Sequence, residues 1–335
     1  MAGLMGAGPW QSLTAALPPD RFHCLLDELP LHLIPTSGRK LLRAKAAEGQ
    51  PFFLNPECEL LDGSRLPGEL AQASELTRDF FLQGSVAWVR DAATASLRPF
   101  WLGAGFQELI MKLRRGEVTS GSLPAPARAL LLAADILVTA EHRERKRAEW
   151  DAQITKSRPA FRDKGYVPVS GLLHPFHVAA LRRYYRQRIR RGAIRLGDHQ
   201  SARRYVAYND GVARFFHHQL APAVAAVVGE PIMPSYVYLA SYLSGAELRK
   251  HTDREQCEFS VTLCLDFSPE PEIATPWPIC LDTPAGKVAV HQALGDGLFY
   301  RGTQLPHYRG ALPEGHTSTS IFFHYVPADF AAPLA

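Results

Sequence analysis

Between Ile232 and Val326 apolar and polar residues alternate in short runs broken by Gly, Pro and Asp, which is the pattern of half-buried strands rather than of helices. The runs predict strands at 235–243, 247–253, 257–267, 277–282, 287–292, 297–301, 306–310 and 317–326. Eight strands of this length suit a double-stranded β-helix, a jelly-roll of two sheets. Ahead of them the period changes. Gly165–Val169 reads as a short strand, Leu172 to Arg191 as a helix, and Val212 to Val228 as a second helix opened by Asp210-Gly211 and closed by Gly229. Pro222 inside that second helix predicts a kink or a split. His217 and His218 are adjacent on it, about 100° apart around the axis, so they cannot form one chelating edge and read as structural.

Residues 1 to 124 carry weaker periodicity. Turn signals at Leu17–Phe22, Asn55-Pro56 and Asp62-Gly63-Ser64 divide the segment, and Glu69–Gln83 and Phe106–Arg115 have roughly helical apolar spacing. Trp88, Phe100, Trp101 and Phe106 supply enough apolar surface for a folded region. After Ser122–Pro126 one long helix is expected from Ala127 to Trp150, apolar at first and then charged with mixed signs, beginning buried and finishing in solvent. The expected class is α+β, with a mixed, mainly helical N-terminal region (1–155) of unassigned role, substrate or partner binding being one reading, followed by the jelly-roll, cupin-like domain (156–335) with flanking helices.

Composition narrows the class without naming it. Of 335 residues, 46% are hydrophobic and 21% charged, an ordinary soluble balance, and no apolar run approaches the ~20 residues of a membrane span. Met1–Trp10 lacks a basic stretch before an apolar core, so no secretory signal is expected. Five cysteines without a C-x-x-C pair argue against both a disulfide framework and a structural zinc site, and a reducing, cytoplasmic setting is expected. A net charge of +4 implies no general affinity for nucleic acid. Arg182, Arg183, Arg186, Arg188, Arg190 and Arg191 crowd one helix; a solvated face is the favoured reading, with an acidic peptide or nucleic acid as the minor one.

The candidate chemistry lies at Arg249-Lys250-His251-Thr252-Asp253-Arg254-Glu255 and Leu305-Pro306-His307-Tyr308-Arg309. On a strand, His251 and Asp253 would share a face. His307 follows Asp253 by 54 residues (307 − 253) and completes two imidazoles and one carboxylate, the set that caps one face of an octahedral ion and suits Fe(II) activating O₂. Tyr242 nine residues before His251, Gly245 between them, the His-x-Asp, the Gly295-Asp296-Gly297-Leu298-Phe299 strand and the distal His307 together resemble the 2-oxoglutarate and Fe(II)-dependent oxygenases, on the prolyl-hydroxylase-like side, over roughly residues 160 to 327.

The resemblance implies that His251, Asp253 and His307 hold Fe(II), that 2-oxoglutarate and O₂ are co-substrates, and that an amino-acid side chain, free or in a peptide, is hydroxylated. Retention of Asp253 favours hydroxylation or another oxidative outcome over halide transfer. The family's usual cation nine to eleven residues beyond the distal His is missing, since those positions are His316, Thr317 and Ser318. Arg309, on the face of His307, is the substitute, with Arg301 second; Tyr242 and Ser320 would add hydroxyls. Arg254 and Glu255 are candidates to orient Asp253. Trp277 and the Ser268–Pro278 loop, together with the N-terminal region, are expected to close over the substrate. A non-catalytic cupin-like metal-binding or interaction module is the alternative, and a zinc hydrolase on the same triad a third reading.

Overall fold

The computed structural model describes residues 18, 20–43, 51–62 and 65–334. Met1–Trp10, Leu17, Pro19 and the Gly63-Ser64 part of the second expected turn lie outside them. In chain order the first half contains α1 (Thr36–Arg43), β1 (Phe53–Leu54), β2 (Cys58–Asp62), α2 (Gly68–Ala71), β3 (Ser85–Arg90), β4 (Leu97–Leu102), α3 (Ala104–Arg114), α4 (Ala125–Ala133), β5 (Leu137–Val138) and α5 (Ala140–Lys164).

This half is organised around the antiparallel sheet β2-β3-β4, which the mainly helical expectation missed. Both β3 and β4 are buried nearly throughout, so their apolar runs carry no alternation to read. The helix expected over Glu69–Gln83 shrinks to α2 and a 3₁₀ turn at Ser74–Thr77. Residues 79 to 81 instead extend to bond Phe22, through Phe22 N–H to Asp79 O (2.8 Å) and Phe81 N–H to Phe22 O (2.9 Å), so tertiary pairing overrides propensity. The long helix expected over Ala127–Trp150 is two helices. Asp135 adopts φ +57°, Leu137–Val138 pairs with β1, and Thr139 caps α5 by accepting from the N–H of His142.

The second half contains β6 (Tyr166–Val169), α6 (Pro175–Arg190), β7 (Arg195–Leu196), β8 (Arg204–Tyr208), α7 (Gly211–Val228), β9 (Ile232–Tyr242), β10 (Leu248–His251), β11 (Phe259–Ser268), β12 (Ile279–Thr283), β13 (Gly286–Val290), β14 (Gly297–Arg301), β15 (His307–Arg309) and β16 (Thr317–Pro327). A seven-stranded antiparallel sheet, β6-β14-β11-β16-β9-β8-β7, faces a four-stranded one, β10-β15-β12-β13. Ring contacts across the gap, Tyr300 to His307 at 4.8 Å and Tyr242 to Trp277 at 5.1 Å, join the two layers. The expected strands are all present within a few residues, and β7 and β8 are additional.

On the outer face of the large sheet lie α6 and α7. Pro222 leaves α7 in one piece, because burial of Leu220, Ala223 and Val224 around it outweighs one missing hydrogen bond. His217 Nε2–H donates to His324 O of β16 (2.8 Å), a structural role as expected. The arginines of α6 are largely spent on the fold: Arg182 and Arg186 clamp Asp266, and Arg188 pairs with Asp210. One hydrophobic cluster runs from Phe22 to Tyr325, and Phe22 meets Phe80, Trp101, Tyr184 and Phe216 at 5.1 to 6.0 Å. The division expected at 155/156 falls inside α5. All five cysteines are unpaired, and no described helix is long and apolar enough to cross a membrane.

Candidate functional site

His251 ends β10 and His307 begins β15, and the two are register partners with ring centroids 4.3 Å apart. Asp253 is not on a strand as the sequence led one to expect. It lies in the loop after β10, held by its N–H to Gly302 O (2.8 Å), so loop geometry rather than strand alternation turns it toward the imidazoles. Asp253 Oδ1 is 3.6 Å from His251 Nε2 and 3.5 Å from His307 Nε2. Both separations are below twice the ~2.1 Å of a typical metal–nitrogen bond, so one ion can reach all three donors.

Each imidazole is fixed by its other nitrogen. His251 Nδ1–H donates to Arg249 O (2.8 Å) and His307 Nδ1–H to Leu305 O (3.0 Å), which leaves both Nε2 lone pairs directed at the carboxylate. Burial favours the neutral form of His251 and lowers its pKa, with the neighbouring His307 adding to the effect. Burial works against ionisation of Asp253, but the neighbouring imidazoles of His307 and His324 and the Ser260 hydroxyl together hold its carboxyl well below the usual range. An ionised Asp253 and a neutral His251 are the forms that ligate a metal.

The support of Asp253 comes from residues the sequence did not single out. Ser260 Oγ–H donates to Asp253 Oδ2 (2.8 Å), which leaves the hydroxyl oxygen to accept from His324 Nδ1–H (2.9 Å). Burial pushes His324 down to about 4, although Asp253 opposes the shift, so His324 is a neutral donor near pH 7. Gly302 is required by close approach: a Cβ there would overlap Asp253 Oδ2, the Cys257 carbonyl and Ser260 Oγ. Arg254 and Glu255 do not orient Asp253. The Arg254 guanidinium lies over the Tyr236 ring at 4.5 Å, and Glu255 accepts from Gln256 at 3.3 Å.

Arg309 sits on the inward face of β15 with His307, 4% exposed, and its guanidinium lies 4.7 Å over the ring of Trp277. It donates to Trp277 O (2.8 Å), while its buried Nε has no hydrogen-bond partner and no carboxylate pairs with it among the described residues. Burial lowers its pKa, with Tyr242 among the groups that oppose the shift. The inward-facing Ser320 Oγ is likewise buried without a partner. Its register neighbour Cys264 feels the charge of Arg309. Tyr242 accepts from Arg204 Nη1 (3.3 Å). Arg301 does not fit the anchoring role given to it as second choice: it turns outward, stacks on Phe161 and Phe259, and pairs with Glu258 (3.0 Å).

The triad opens into a cavity of about 400 Å³ whose walls include Tyr208, Tyr236, Tyr238, Tyr242 and Phe322. Its rim comes from 199–208 and 252–254, not from the Ser268–Pro278 loop or the N-terminal region expected to cover it. That loop is tied to the far side instead, through Arg39 and Arg182 to Glu270, and Trp277 packs behind Tyr242.

Among solved structures the chain is similar to the non-haem α-ketoglutarate-dependent epimerase SnoN from nogalamycin biosynthesis, at 16% identity over 55% of this chain and 94% of that one, with a TM-score of 0.44. It is also similar to a Pseudomonas putida prolyl-4-hydroxylase (18% identity, 51% of this chain and 98% of that one, TM-score 0.43). A third is HygX from Streptomyces hygroscopicus with nickel, 2-oxoglutarate and hygromycin B bound (14%, 52% and 88%, TM-score 0.42). No family model and no curated protein matches the chain.

Proposed function

We propose that this protein is an Fe(II)- and 2-oxoglutarate-dependent dioxygenase that hydroxylates an amino-acid side chain in a small-molecule or peptide substrate. The observation that carries the reading is the convergence of His251 Nε2, His307 Nε2 and Asp253 Oδ1 at the mouth of a cavity, each held by a partner that fixes its ligating form. Two imidazoles and a carboxylate would hold a divalent iron and leave positions free for co-substrates. Bound there, iron with 2-oxoglutarate supplies oxidation by O₂, with succinate and CO₂ as the co-products.

The residues of this chain have separate tasks. Arg309 is a buried cation with an orphaned Nε, and a buried cation without an anion is costly, so the distal carboxylate of 2-oxoglutarate is the partner that its surroundings call for. Ser320 Oγ, unpartnered, and Tyr242 supply hydroxyls to the same anion. Ser260 and His324 keep Asp253 oriented, and the aromatic walls exclude water from the reacting carbon. This buried, unpaired Arg309 favours the oxygenase over a zinc hydrolase, which needs no such cation. The test is succinate formation by purified protein supplied with Fe(II), 2-oxoglutarate and O₂, with Asp253→Ala abolishing it while the far-UV spectrum is retained. A wild-type protein that makes no succinate and does not bind 2-oxoglutarate is the non-catalytic module instead.

A further inference from the structure

Asp253 is the one carboxylate among the described lining residues of the cavity, and the triad engages it. Of the two arginines there, Arg204 is already neutralised by Asp198, which it contacts through Nε at 3.0 Å. Arg254 has no such partner. It lies over the face of Tyr236, hydrogen-bonds the hydroxyls of Tyr236 and Tyr208 (3.5 Å to the latter) and the Cys257 thiol, and makes no ion pair among the described residues. These partners are neutral and leave the charge of the guanidinium uncompensated, and its five N–H donors in a planar fork match the two oxygens of one carboxylate. Beside it stands a second feature that packing does not explain: Tyr208 is 49% exposed at the cavity rim, with its ring 5.2 Å from that of Tyr236 at an interplanar angle of 32°.

We infer that the substrate presents a carboxylate to the uncompensated charge of Arg254 while a flat, apolar body lies along the exposed Tyr208 ring. The inference rests on the oxygenase reading of the same cavity and adds the substrate class to it. A volume of about 400 Å³ is at the lower end for small-molecule sites, which suits a body of aromatic amino-acid size. The carboxylate belongs either to a free amino acid or to the C terminus of a peptide, since the same fork recognises both. Arg254 then selects for charge and Tyr208 for a planar surface, and the two contributions are separable by substitution.

The experiment is calorimetric titration of the full chain, anaerobic with Fe(II) and 2-oxoglutarate, using N-acetylphenylalanine and its carboxamide, and Ala-Ala-Phe with a free and with an amidated C terminus. The acid of at least one pair is expected to bind about 10-fold more tightly than its amide, the scale of one charge-assisted contact at a partly exposed site. Whichever pair shows the preference identifies the source of the carboxylate. Arg254→Gln should bring the acid-to-amide ratio near one, and Tyr208→Ala should weaken acid and amide alike while keeping the ratio, with thermal midpoints confirming that both variants fold. Equal binding of acid and amide, no binding of any probe, or an unchanged ratio in Arg254→Gln overturns the inference. A 2-oxoglutarate titration on the same wild-type sample comes first: if the co-substrate fails to bind, the oxygenase reading itself falls, whereas binding without acid preference removes the substrate class alone.

Discussion

At the scale of single residues the site divides into donors that a short motif announces and supports that it does not. His251, Asp253 and His307 were legible because few residue types ligate metals and the spacing around two Gly turns is informative. Ser260, His324 and Gly302 were not, because a serine hydroxyl or a missing Cβ acquires meaning only when the chain folds it against Asp253. Their role is testable. Ser260→Ala removes a donor from Asp253 Oδ2 and leaves the Nδ1–H of His324 unpaired, so metal affinity should drop roughly 10- to 100-fold, the usual cost of losing an orienting partner. Competition against a chelator measures it, and an unchanged affinity would show that Asp253 needs no such support. Arg309→Met makes a prediction of the opposite kind for stability. Since Arg309 is buried with an orphaned Nε, an apolar replacement of similar length removes a desolvation cost, and the protein without 2-oxoglutarate should melt at the same temperature or higher. The same variant should lose at least about 100-fold in 2-oxoglutarate affinity by titration, the scale of removing the charged partner from a buried ion pair.

Among the elements, the strands of the second half were readable and the buried strands of the first half were not. The strands from 232 onward follow one another between Gly, Pro and Asp turns, even β11 and β16, which are buried nearly throughout, whereas β3 and β4 are apolar runs that could be taken for pieces of helix. The break between α4 and α5 was invisible for a related reason, since Asp135 takes its positive φ without a Gly or Pro to mark it. What fixes that break is a charge cluster: Asp91 pairs with Arg98 (2.6 Å) and Lys146 (3.2 Å), and Asp135 pairs with Lys146 and His142 (2.9 Å). Burial alone would raise both carboxyls, but Arg98 and Lys146 at Asp91, and Lys146 and His142 at Asp135, pull them well below the usual range. Groups whose folded pKa is depressed stabilise above their unfolded value of about 4 and lose that contribution as pH falls below it. Lys146→Met should therefore cost on the order of 2–3 kcal/mol at pH 7, below the full penalty of a broken buried pair because Arg98 remains. Denaturant midpoints should show the gap to wild type narrowing between pH 5 and pH 2; a gap independent of pH would mean that lost packing, not charge, is the cause.

For the molecule as a whole the question is whether the sheet-bearing half can stand without the first. The jelly-roll domain was expected to begin at residue 156, but α5 runs from Ala140 to Lys164 across that point, and one hydrophobic cluster takes members from both sides. Phe22 and Phe80 pack on Tyr184, Phe215 and Phe216, the rings that α6 and α7 present away from the large sheet. Removing residues 1–155 would uncover those rings and cut α5 before its buried Ser157 and Phe161, leaving an apolar face far too continuous for a stable monomer. The expected result is that 156–335 alone binds a hydrophobic dye and unfolds without a cooperative transition, while the full chain unfolds in a single one. Supplying Fe(II) and 2-oxoglutarate should then raise the midpoint of the entire transition, because ligands that bind only the folded state stabilise every element coupled to it, by about 2.7 kcal/mol at a hundred times the dissociation constant. A truncated protein with a sharp transition and an unchanged 2-oxoglutarate affinity would establish instead that the sheets around His251, Asp253 and His307 fold on their own and that the first half is an attachment to them.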